Sequence, residues 1–186
     1  CSGKHAGFLA LAKFMEAPLH SYLALHHPVQ VAVRKTISTL FNIPEREMIF
    51  GVDGCSAPNY GMKLHHLFRG FMRFEDISLP GQNRKALDRV ITCIQKTPFL
   101  LAGSQRFCTD LVEHLGEQII GKVGAAGVYA FSFHQAQVGV AVKMEDGNST
   151  EAYAVAQHII ARSGIFTKAQ LKPLEKYRNS PILNCN

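Results

Sequence analysis

The sequence predicts an α+β domain: a helical first half, then an antiparallel β-meander closed by a helix. Three observations carry this. Apolar residues recur at helical spacing through the first half of the chain. After Gly116, "QIIGKVG", "GVYAFSF" and "AQVGVAVKM" follow one another with connections too short for a crossover. A capped amphipathic segment, "NSTEAYAVAQHIIARSG", comes last, placed to pack on the sheet.

Each element has its own signal. "KHAGFLALAKFM" suits a helix whose N-terminus carries the opening residues. Pro28 pre-sets a first turn, and Val29, Val33, Ile37, Leu40 and Phe41 mark one face of the helix that follows. "MIFGVD" reads as a short buried strand, and "GCSAPN" as the loop that ends it, so Asp53 and Cys55 sit at a strand end. Two further stripes, Leu64/Leu67/Phe68/Phe71/Met72 and Leu87/Val90/Ile91/Ile94, predict core faces of two helices. In the last strand Val138, Val140, Val142 and Met144 alternate with Gly139, Ala141 and Lys143, the pattern of a half-buried antiparallel strand. The closing helix takes Asn148 as N-cap, Ala152, Val155, Ala156, Ile159 and Ile160 as its stripe, and Gly164 as its stop.

Composition narrows the function classes. With 186 residues, 47% hydrophobic and 18% charged, the chain is a single globular domain spanning 1–186 rather than a disordered segment. No apolar run has membrane-spanning length. The net charge of +6 is scattered, without a basic run or interleaved aromatics, which argues against nucleic acid as a partner. Five cysteines, at 1, 55, 93, 108 and 185, make no disulfide framework and point to a reducing, cytoplasmic compartment. Cys93 falls in a helical stripe and is expected in the core, and Cys185 lies in a polar tail.

Two places could carry chemistry. Cys1, Lys4 and His5 are spaced to share one face of a helical turn, and a thiolate is a good soft metal ligand. Lysine is a rare ligand because its amine must lose a proton. Spacing alone therefore favours an exposed helix start, with Cys55 as a second thiol that improves the metal reading. Lys122, in "GKVG", sits between glycines in a strand, where glycine often marks the close approach of a ligand or another backbone. Its tripeptide is similar to the Lys-Thr-Gly of serine β-lactamases, with a surface lysine as the plain alternative.

Taken together and in order, "CSGKHAGFLALA", "HPVQ", "FGVDGCSAP" and "KVGAAGVYA" resemble the bacterial L-asparaginase II family, over nearly the whole chain. The resemblance implies a serine-β-lactamase-like or penicillin-binding-protein-like fold, here incomplete at its N-terminus. It implies zinc held by Cys1, Lys4 and Cys55, with His5 and Asp53 lining the substrate site beside the metal and Lys122 as its strand lysine. The implied reaction hydrolyses the side-chain amide of L-asparagine through an acyl-enzyme on serine. That serine belongs to a Ser-x-x-Lys, and no such motif occurs in these residues. The chain is therefore expected to be the C-terminal portion of a longer enzyme, inactive by itself, with a homodimer left open.

Three positions depart from the family pattern: Ala126 stands where an acid is usual, Gln105 where glycine is, and Lys63 where proline is. Two rival readings remain. One is a degenerate paralogue that binds zinc and an amino acid without turnover. The other is an N-terminal-nucleophile amidohydrolase acting through Cys1, which would need strands directly after the nucleophile where a helical pattern stands.

Overall fold

The computed structural model describes residues 1–178 apart from 77, 80 and 135, so Cys185 lies outside the described residues. The chain is α+β and forms two compact units, Cys1–His66 and Leu67–Asn186.

In the first unit, α1 (Ser2–Phe14) packs on α2 (Pro28–Phe41), with Ala12 and Val29 fully buried between them. α2 starts as predicted, with Pro28 in its first turn. His27 is the N-cap, and its Nδ1 accepts a hydrogen bond from the Val29 amide at 3.2 Å. Asn42, in the left-handed region at φ 53°, ends the helix. Next, β1 (Ile49–Val52) pairs antiparallel with β2 (Pro58–Gly61), from Ile49 opposite Gly61 to Val52 opposite Pro58. The strand expected to be buried is exposed: Met48 before it is buried, but Ile49 is 73% and Val52 78% accessible. A two-stranded ribbon has no further strand or layer of its own to cover it. β2 carried little strand signal, because Pro58 and Gly61 are poor strand formers and proline is tolerated at a strand's first position.

α3 (Leu64–Met72) runs from the end of the first unit into the second. It is followed by α4 (Gly81–Lys96), α5 (Pro98–Ala102) and α6 (Phe107–Leu115). The strands β3 (Ile119–Val123), β4 (Val128–Phe133) and β5 (Val138–Lys143) then form the antiparallel meander in sequence order. α7 (Ser149–Arg162), the short α8 (Lys168–Leu171) and a 3-10 turn (Lys172–Tyr177) complete the described chain. Asn148 caps α7 as expected, its side chain accepting from the amides of Thr150 and Glu151 at 2.9 and 3.2 Å.

One face of the sheet carries Tyr129, Phe131 and Phe133 into a core shared with Phe107 and Leu111 of α6 and Ala152, Ala156 and Ile160 of α7. The opposite face carries Ser132 and Gly139, which pair across β4 and β5. α3 lies so close there that a Cβ on Gly139 would come within 2.6 Å of Met72 Cγ and 2.8 Å of the Phe68 carbonyl. β4 is therefore covered on both faces, and Ser132 is fully buried.

The helical stripes were right about direction and wrong about depth. In α4, Leu87, Ile91 and Ile94 are only half-buried, Val90 is exposed, and Cys93, expected in the core, is exposed. In α3 only Gly70 is buried. Periodicity tells which face turns inward, not how much of the molecule lies behind it. α6, the most buried helix, went unpredicted because Thr109 and Asp110 interrupt its apolar pattern. Both are nevertheless buried, with Asp110 Oδ2 accepting from the Tyr177 hydroxyl at 2.7 Å and paired with Lys176 Nζ at 2.5 Å.

Gln105, where glycine is customary, adopts φ 56° just ahead of α6 and is exposed. A side chain in that region costs about 1–2 kcal/mol. Gln105→Gly is expected to stabilise the chain by about 1 kcal/mol, after the extra chain entropy glycine loses on folding. The measurement is the urea midpoint, and a fall in that midpoint would contradict the prediction.

Candidate functional site

The site in the first unit is built around one turn. Asp53 follows β1, and its amide donates to the Ala57 carbonyl at 3.0 Å while its own carbonyl accepts from Ser56 N at 2.9 Å. Asp53 Oδ1 accepts from the amides of Cys55 and Ala57, each at 3.0 Å. A short carboxylate is the side chain that can satisfy several amides of its own turn. Ser56 takes φ 66° to close it.

Two groups from the predicted set converge on this carboxylate. The Cys55 thiol donates to Asp53 Oδ1 at 2.9 Å, and Lys4, from the first turn of α1, forms an ion pair with Oδ2. The hydrogen bond from the Cys55 thiol, then that from Lys4, holds the Asp53 carboxyl well below the usual carboxylate range. At Lys4, burial pulls the ammonium's pKa down, but the hydrogen bonds with Asp53 and Cys55 outweigh it and the net shift is upward. Lys4 is thus a charged ammonium here.

The other predicted residues stand as follows. Cys1 is the N-cap of α1, exposed, and its thiol makes no capping hydrogen bond. Helix α1 follows it at once, not a strand. His5 is half-buried, with Nδ1 2.7 Å from the Tyr22 hydroxyl. Lys122 lies in the second unit, exposed on β3, with Nζ donating to the Val123 carbonyl at 2.8 Å. The glycine before it serves the core and not a ligand: a Cβ on Gly121 would meet the Tyr129 hydroxyl at 2.8 Å and Leu111 Cδ2 at 3.0 Å. Ala126, in place of the customary acid, adopts φ 53° in the β3–β4 turn. Tyr22 was not singled out from sequence, since "SYLAL" has no motif and its role depends on a ring that folds back onto α1.

The L-asparaginase II family model matches residues 1–186, the entire chain. The chain belongs to the L-asparaginase II family. No curated protein matches it. Membership in the L-asparaginase II family supports an amidohydrolase that acts on a small molecule. Among the described residues no helix is long and apolar enough to cross a membrane.

Whether this asparaginase II chain's residues suit zinc can be judged from the donor set. Among the described residues, no three of His, Cys, Asp and Glu gather as a metal cage. Asp53 and Cys55 are in contact, so the Cys1 thiol is not brought within ligand reach of that pair. Lys4 and Cys55 already meet at one carboxylate, and Cys1 lies one helical turn before Lys4. Two sulfurs and one nitrogen suit tetrahedral zinc with a fourth, open position. The donor types fit zinc, with Cys1 having to close on the other two and Lys4 and Cys55 having to give up their protons.

Proposed function

We propose that the protein hydrolyses the side-chain amide of L-asparagine to L-aspartate and ammonia. The observation that carries this reading is the family match over the whole chain, and the convergence of Lys4 and Cys55 on Asp53 supports it. Zinc held by Cys1, Lys4 and Cys55 would supply a positive anchor for the substrate when bound. Asp53 keeps the Cys55 turn closed and orients Lys4 and the Cys55 thiol. His5 contributes a ring nitrogen from the same turn of α1 as Lys4.

In the reaction we assign, a serine oxygen attacks the amide carbon and its proton passes to the departing nitrogen, which leaves as ammonia. Water then cleaves the ester, regenerating serine and releasing aspartate. These residues contain no Ser-x-x-Lys, so we assign the serine to residues outside them.

The test is release of ammonia and aspartate from L-asparagine, by the 186 residues alone and by the protein of the full reading frame, both supplied with zinc. Turnover is expected only from the second. Turnover by these residues alone would overturn the serine assignment. Asparagine binding without turnover by the full-frame protein would leave a zinc-dependent amino-acid binder instead.

A further inference from the structure

We propose that Tyr22 is a positioning residue that holds His5 as its Nε2–H tautomer. His5 then offers a substrate oxygen a hydrogen-bond donor, and does not act as a base. The substrate half of this inference rests on the asparaginase reading above; the tautomer half does not.

The chemistry of the two groups gives the direction of the proton. Tyr22 Oη and His5 Nδ1 are 2.7 Å apart, a hydrogen bond that either the hydroxyl or a ring N–H could donate. A phenol is a far stronger acid than a neutral imidazole N–H, and the bare imidazole nitrogen is the stronger base of the two groups. The Tyr22 hydroxyl therefore donates to Nδ1, and the ring's own proton stays on Nε2. With Nδ1 occupied, Nε2 is the nitrogen left for a ligand.

Tyr22 is built to hold this position. Its ring meets the His5 ring edge-on, with centroids 5.8 Å apart and planes at 85°, and Phe8 packs against both. Its carbonyl accepts from Gln30 Nε2 at 2.8 Å, and Gln30 is buried at the start of α2. Upstream, the Pro18 carbonyl is 2.9 Å from Nε2 of His27, which is buried too. Two buried side chains from the start of α2 thus tether the segment between the helices. His5 in turn is fixed on α1 beside Lys4, the residue that reaches Asp53. Such a partner acts through another residue, as the outer groups around a ligating histidine do.

The tautomer can be read directly from the ring nitrogens of the 15N-histidine-labelled chain, by long-range proton–nitrogen correlation, with His5 assigned from the His5→Gln spectrum. A protonated Nε2 and a bare, hydrogen-bonded Nδ1 are expected at His5, changing to a tautomer mixture in Tyr22→Phe. That variant keeps the ring packing and the Gln30 bond. A wild-type spectrum showing Nδ1–H would overturn the proposal, and that measurement needs no variant. So would a ring unchanged by Tyr22→Phe.

The second arm is turnover of L-asparagine by the full-frame protein. Tyr22→Phe is expected to raise KM about tenfold with little change in kcat, as loss of an oriented binding donor should. A loss confined to kcat would overturn the donor role. If asparagine proves not to be the substrate, the nitrogen spectra still decide the tautomer.

Discussion

On the proposed zinc reading, zinc bound by the chain is expected to fall from about one equivalent to near zero in Cys55→Ala, by metal analysis after dialysis. On that reading the substitution removes one of three protein ligands, so the affinity loss should exceed the about 10–100-fold typical of losing an outer-sphere partner. The turn should survive, because the Asp53 carboxylate keeps its bonds to the backbone amides of residues 55 and 57. Circular dichroism checks this. Cys93→Ala, which removes an exposed thiol on α4, is the matched control and should leave the metal content unchanged. Equal zinc in wild type and Cys55→Ala would remove Cys55 from the ligand set and with it the zinc reading of this turn.

Phe107→Ala is expected to cost the second unit about 3–5 kcal/mol, the range for deleting a fully buried phenylalanine side chain. Phe107 is 0% exposed, and its ring centroid lies 5.2, 5.4 and 4.9 Å from those of Tyr129, Tyr153 and Tyr177. One side chain thus joins α6, β4, α7 and the C-terminal 3-10 turn, and its removal leaves a cavity that three elements cannot all close. Against a total stability of about 5–15 kcal/mol, the loss is a large fraction. Urea unfolding should show a lower midpoint with an unchanged slope. Leu100→Ala, at a site 78% exposed, should stay within about 0.5 kcal/mol. A Phe107→Ala effect no larger than that of Leu100→Ala would mean the core is not organised around this ring.

How far these sites could be read in advance depended on where their partners lie in the chain. The meander was legible because each strand's partner is its sequence neighbour, and alternation states both faces and register. The α7 cap was legible because Asn148 bonds to amides only two and three residues away. α6 was hidden because its polar residues find partners far along the chain, Asp110 on Tyr177 and Thr109 on the Gly103 carbonyl at 2.6 Å. Local pattern does not contain such partners.

The same division holds at the candidate site. By itself the sequence determined the helical start bearing Cys1, Lys4 and His5, the turn bearing Asp53 and Cys55, and the α+β order, since all of these follow from contacts within a few residues. Only the tertiary structure decided that Lys4 reaches Asp53, that Tyr22 takes Nδ1 of His5, and that Ile49 and Val52 stay exposed while Ser132 is sealed in. Each of those depends on which surface the rest of the chain lays against a residue. That is a property of packing between distant segments, which no local spacing encodes.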